Sequence, residues 1–166
     1  VGSVAARGTG FARAFRISSS VPVSSYAIFP YGGAKGYYPA ASLLLPISSY
    51  DKGYIAVSPS RVGARPGDGT GGTRTLVGDR YVQIVASEDN TTVSVLPRVD
   101  VADGEGVVGT AAGHVKSWTL SRGQLLQFVQ ASDLTGSLLS ADKPIGLFGG
   151  ARCSYVPSSW QACDLM

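Results

Sequence analysis

The chain has 166 residues, 44% hydrophobic and 15% charged, with 22 glycines and a formal net charge of +3; that hydrophobic share excludes a disordered chain and suffices for one domain with a core. The basic residues are scattered with no Lys/Arg run, so they lack the stripe that releases counterions together, and no nucleic-acid partner is expected. No apolar stretch approaches the roughly 20 residues that span a bilayer, so no membrane insertion is expected, and the start at Val1 reads as a processed or excised piece.

In chain order, short apolar runs of period two are bounded by Gly, Pro, Ser or Asp, the pattern of strands. The first are expected at Ala12–Ile17 and Val21–Phe29, the second with Val21, Val23, Ala27 and Phe29 on one face and Ser24 and Tyr26 on the other. A glycine-rich loop runs from Pro30 to Pro39. Ser42–Leu45 is an apolar run stopped by Pro46, and Tyr54–Ser58 is another short strand. Residues 61–74 are dense in Gly without periodicity and read as a long flexible loop. Tyr81–Ala86, with Val82, Ile84 and Ala86 inward, and Thr92–Leu96, with Val93 and Val95 on one face, predict a hairpin. Glu88-Asp89-Asn90 between them tolerates left-handed turn conformations. A polar loop, Asp100–Gly113, precedes strands at Val115–Leu120 and Gln124–Gln130, which Ser121-Arg122-Gly123 joins. Two last runs, Ser137–Ser140 and Ile145–Phe148, flank the turn Ala141-Asp142-Lys143-Pro144. Short strands with antiparallel turn signals and no crossover helix predict an all-β fold, an antiparallel β-sandwich.

An internal repeat sets Ile17-Ser18-Ser19-Ser20-Val21-Pro22-Val23 against Leu139-Ser140-Ala141-Asp142-Lys143-Pro144-Ile145. Each copy reads as a strand end, a turn, then Pro opening a strand where its missing N–H forfeits no ladder bond. Repeats at this period indicate tandem domains: one sandwich repeat over residues 10–150 and the start of a following repeat over 151–166. Half a repeat cannot bury its own apolar face. Ile145–Phe148 is therefore expected to pair back onto the first sandwich, and the incomplete second repeat offers a route to self-association.

Cys153 and Cys163 are the only cysteines, and with a single His they cannot build a zinc site. Their spacing is not that of a C-x-x-C redox pair. A local disulfide or two free thiols remain, and the low-charge, Gly/Ser-rich composition favours the disulfide.

Several stretches carry a resemblance. Asp133-Leu134-Thr135-Gly136-Ser137 leads through Ser140-Ala141-Asp142-Lys143-Pro144-Ile145-Gly146-Leu147-Phe148-Gly149-Gly150 to Cys153, Val156-Pro157 and Ala162-Cys163-Asp164. Phe15-Arg16-Ile17, Ser42-Leu43-Leu44-Leu45-Pro46 and Val85-Ala86-Ser87-Glu88-Asp89-Asn90-Thr91-Thr92-Val93 add to it. In this order the motifs resemble the IgGFc-binding protein N-terminal domain family, and the chain reads as a bacterial member of it. The resemblance implies export to the cell surface or medium, β-sandwich repeats, a binding or adhesive role without catalysis, and a disulfide between Cys153 and Cys163. The loops 61–74 and 100–113 carry none of it.

Chemistry-bearing patterns fail on their context. His114 sits in a polar loop with no G-x-S-x-G elbow, and reads as a solvated histidine. The S-x-x-K matches Ser49–Lys52 and Ser140–Lys143 lack the S-D-N and K-T-G elements that penicillin-binding chemistry needs. Gly67–Gly72 is neither a P-loop nor a tandem calcium roll, and Asp100, Asp103 and Glu105 miss the EF-hand spacing. Asn90-Thr91-Thr92 is a formal glycosylation sequon explained by a turn. No cofactor and no metal are expected. The surface that invites a ligand is the Pro30–Pro39 loop, where Tyr31, Lys35, Tyr37 and Tyr38 offer rigid aromatic contact beside a cation to a protein or glycan. Two functions follow: a secreted or cell-surface binding module, or a passive structural repeat with no ligand of its own.

Overall fold

The computed structural model describes residues 8–29, 40–59, 64–65, 76–77 and 79–151. Eleven strands occur among them: β1 (Gly10–Arg13), β2 (Ser25–Phe29), β3 (Ala40–Leu44), β4 (Asp51–Ile55), β5 (Ala64–Arg65), β6 (Leu76–Val77), β7 (Arg80–Ala86), β8 (Thr91–Leu96), β9 (Lys116–Leu120), β10 (Gln124–Gln130) and β11 (Leu138–Ala151). Seven share one antiparallel sheet in the order β1-β10-β7-β11-β8-β9, with β4 also on β11. β2 pairs β3 and β5 pairs β6. The fold is all-β and antiparallel.

Period-two alternation sets the core. Val82, Ile84 and Ala86 of β7 and Val93 and Val95 of β8 are buried, as their spacing predicts. They meet Leu120, Leu126, Phe128, Leu139 and Ile145 in one cluster. Trp118 and Phe128 stand near opposite edges of the strand order, yet their ring centroids lie 5.3 Å apart. Only a sheet that curls back on itself brings them together. Each large side chain so buried contributes about 1.5–3 kcal/mol.

β7 and β8 do not form the predicted hairpin. β7 pairs β10 and the second half of β11, while β8 pairs β9 and the first half of β11. The turn between them is an arch that carries the chain from one half of the curled sheet to the other. Its polar groups explain why: they bond to β11 rather than closing a two-strand loop. Ser87 donates its backbone N–H (3.3 Å) and its hydroxyl (2.5 Å) to the Pro144 carbonyl, and the Thr92 N–H donates to Asp142 Oδ1 at 2.8 Å. Lys143 Nζ donates to the Asp89 carbonyl. Asn90 takes the left-handed φ of 54° that the turn residues anticipated.

The two expected runs at Ser137–Ser140 and Ile145–Phe148 are one strand, β11, and Ala141–Pro144 is a bulge within it. Against β4, β11 advances from Ser140 to Ile145 while β4 moves only from Gly53 to Asp51. The extra residues include Pro144, whose missing N–H costs nothing at a bulge. Ile145–Phe148 lies in the main sheet, paired to Ala86–Gln83 of β7.

Other boundaries shift for want of partners. β1 ends at Arg13, and no strand resumes before Ser25, against the expected Ala12–Ile17 and Val21–Phe29. Alternation alone cannot make a strand where no neighbour completes the ladder. The two copies of the seven-residue repeat accordingly differ. Leu139 and Ile145 are 4% and 0% exposed, while Ile17 and Val23 are 65% and 61% exposed and outside any strand. The expected strand Tyr54–Ser58 starts earlier, at Asp51. The 61–74 loop contributes Ala64–Arg65 to a short ladder with Leu76–Val77. Within the 100–113 loop, Val101 and Val107 enter the core, and bridges join Val101 to Thr110 and Gly104 to Val107. A side chain on Gly109 would lie 1.9 Å from the Val101 carbonyl oxygen, so this close approach requires glycine.

Candidate functional site

The outer face of the sheet carries the alternate residues of β7, β10 and β11. Gln83, Val85, Leu125 and Phe148 form the floor of a groove of about 880 Å³. One wall is the β2–β3 hairpin, through Ser25, Ala27 and Leu44, continued by Leu45 and Ile47. The other is the arm that leaves the sheet after Ala14, whose N–H makes the last bond at that edge, 2.9 Å to the Gly123 carbonyl. Phe15, Ile17 and Val23 of the arm line the groove, and Phe15 is 85% exposed.

Three arginines stand on this surface: Arg13 at the end of β1, Arg16 in the arm and Arg122 in the β9–β10 turn. All three are exposed, and their guanidinium groups have no hydrogen bond or ion pair among the described residues. Among the described residues no Asp, Glu, His, Lys or Cys lines the groove. Asp89, on the adjoining arch, accepts the Arg122 backbone N–H at 2.9 Å. Among the described residues the site is thus an apolar trough whose positive charge is not neutralised.

Tyr50 also lines the groove, its ring so near Gly146 that a Cβ there would lie 2.5 Å from Cζ. Burial, and then the neighbouring Tyr54, raises the Tyr50 pKa above the ordinary 10.0; burial alone raises that of Tyr81. Both phenols therefore ionise later in the folded chain than in the unfolded one. Below the ordinary value they add no pH dependence, and as pH rises through the raised folded values the unfolded state gains. Urea midpoints should fall above pH 10.0 and fall less in Tyr81→Phe. Equal loss in wild type and variant would remove Tyr81 from that account.

Among the described residues, those with expected chemistry are not brought into one centre. Tyr31, Lys35, Tyr37 and Tyr38 lie outside the described residues, as do Cys153 and Cys163. The loop bearing the tyrosines is closed by the Phe29–Ala40 pair at the end of the β2–β3 hairpin. His114 is exposed in its loop. Ser49 Oγ donates 2.7 Å to the Pro46 carbonyl in a short 3-10 turn, and Ser140 sits in β11 opposite Ser94. Asp100 and Asp103 accept the N–H groups of Ala112 and Gly109 at 2.8 and 2.7 Å, which gives both carboxylates a local structural role. Among the described residues no cluster of His, Cys, Asp and Glu could hold a metal. The groove itself is absent from the sequence reading, because its arginines are far apart in the chain and only the curled sheet collects them.

The family model for IgGFc binding protein matches residues 40–166, more than half of the chain. The chain belongs to the IgGFc binding protein family. The match opens at the first residue of β3 and takes in β4 to β11, including the Cys153 and Cys163 positions; of the stretches that carry the resemblance only Phe15-Arg16-Ile17 falls outside it. IgGFc binding protein domains are binding modules of extracellular proteins, and among the described residues no helix is long and apolar enough to cross a membrane. No curated protein and no solved structure matches the chain.

Proposed function

We propose that the chain is a secreted or cell-surface binding or adhesion module without catalytic activity. Its contact surface is the groove together with the Pro30–Pro39 loop carried by the same hairpin. The groove is the observation that carries this reading: an open apolar trough with three unpaired arginines, in a family of binding modules. Aromatic side chains such as the exposed Phe15, with Tyr37 and Tyr38 of the loop, give contact area at low entropic cost. Immobilised glycans, mucins and IgG Fc are the probes, the last because of the family's name. Phe15→Ala and the Tyr37→Ala/Tyr38→Ala pair should cut retention with the melting temperature nearly unchanged. Unchanged retention with a large loss of stability would make these rings structural.

A second reading has its own observation. Tyr26, Ile28 and Leu43 are 57%, 46% and 54% exposed on the hairpin face away from the groove. A two-stranded hairpin is marginal unless something covers it. In a passive tandem array a neighbouring unit would do so, with residues 151–166 beginning the following repeat and a Cys153–Cys163 disulfide tying it. No retention on any probe, with two thiols blocked as one disulfide, favours this reading.

A further inference from the structure

The arm between β1 and β2 has no neighbouring strand among the described residues. No backbone N–H or C=O from Phe15 to Ser24 has a hydrogen-bond partner among the described residues, except that the Val21 N–H reaches Ser19 Oγ at 3.2 Å. The related sequence Leu139–Ile145 runs inside β11, where Leu139 and Ser140 are paired on both edges, to β4 and to β8. The same residue pattern is therefore saturated with partners in one place and bare in the other. Unpaired backbone beside apolar side chains is a template for an added strand.

Charge selects among strands. Arg13, Arg16 and Arg122 line the groove, with no carboxylate among its described lining residues, so a basic or neutral segment gains nothing from them. We infer that the groove takes an extended polypeptide segment whose side chains alternate apolar and acidic, added in β fashion along residues 15–20. Its apolar side chains lie on Val85, Leu125 and Phe148, and its carboxylates meet the arginines. This rests on the groove being the binding surface and names the class of its ligand.

The test uses the full chain and a synthetic peptide alternating valine and glutamate, with the valine–lysine peptide as counterpart. The glutamate peptide should bind, more weakly as salt is added, and the lysine peptide should not. R13E/R16E/R122E should weaken binding by at least about tenfold. Ser18→Pro removes one free N–H from a segment that has no ladder to lose, and should weaken binding several-fold. Neither variant should move the melting temperature. Equal affinity for the lysine peptide, or indifference to the arginine reversals, overturns the acidic assignment. Indifference to Ser18→Pro overturns strand addition, as does displacement by decanoate, which would make the occupant an anionic lipid chain. Dimerisation that excludes the peptide would make the occupant a second copy and also sinks the proposal. If the peptide fails to bind while Phe15→Ala still abolishes retention of an array ligand, the groove stands and the ligand class falls.

Discussion

Gly149→Ala should destabilise the fold by about 3 kcal/mol, a large part of the stability of a domain this size. Gly149 lies in β11, where a Cβ would stand 1.8 Å from the carbonyl oxygen of Val57. That neighbour is backbone and cannot swing away as a side-chain tip would. Relief requires the segment after β4 to move off β11, and Ala56, whose N–H bonds the Ser137 carbonyl at 2.9 Å, would move with it. Gly53→Ala is the control. It also lies in a strand paired to β11, but a Cβ there meets nothing within 4 Å. Alanine at Gly53 should be neutral or stabilise slightly, since glycine is costly in a strand. The urea midpoint should drop sharply for Gly149→Ala with an unchanged m-value. Equal midpoints for the two variants would refute the close approach.

Phe128→Ala should cost about 3–5 kcal/mol. Phe128 is 1% exposed, and its ring leans on Trp118 at an interplanar angle of 60°. Removing it opens a cavity where the two edges of the curled sheet meet. The Trp118 indole nitrogen is buried without a hydrogen-bond partner among the described residues, so admitted water would find a donor there. Tryptophan emission should shift to the red along with the fall in stability. Phe148→Ala, at a ring that is 37% exposed on the groove floor, should cost well under half as much. A similar cost at both positions would mean that Phe148, and with it the groove floor, is part of the core.

What was legible in the sequence was the face of each strand. Alternation picked Val82, Ile84, Ala86, Val93 and Val95 as inward, because a strand's period of two is a local property. The choice of neighbour is not local. Nothing in Tyr81–Leu96 shows that the residues holding its turn are Asp142, Lys143 and Pro144, so a two-strand loop was the simplest reading and an arch was found. Polar surroundings likewise hid Val101 and Val107, two apolar residues in a loop that the rest of the fold covers. The family was readable from the order of its motifs. The groove was not, since Arg13 and Arg122 meet only once β1 has paired with β10.

The placement of β11 also fixes a schedule. It is the last strand of the described chain, yet it is the one on which β4, β7 and β8 all pair. A chain emerging amino end first therefore carries open edges on those strands until residues 138–151 arrive. Until then β1-β10-β7 and β8-β9 are separate ladders that β11 has yet to join. Nascent chains ending before Leu138 should be degraded by a protease that the full chain resists. Protection already present in those shorter chains would show that the sheet forms without its closing strand.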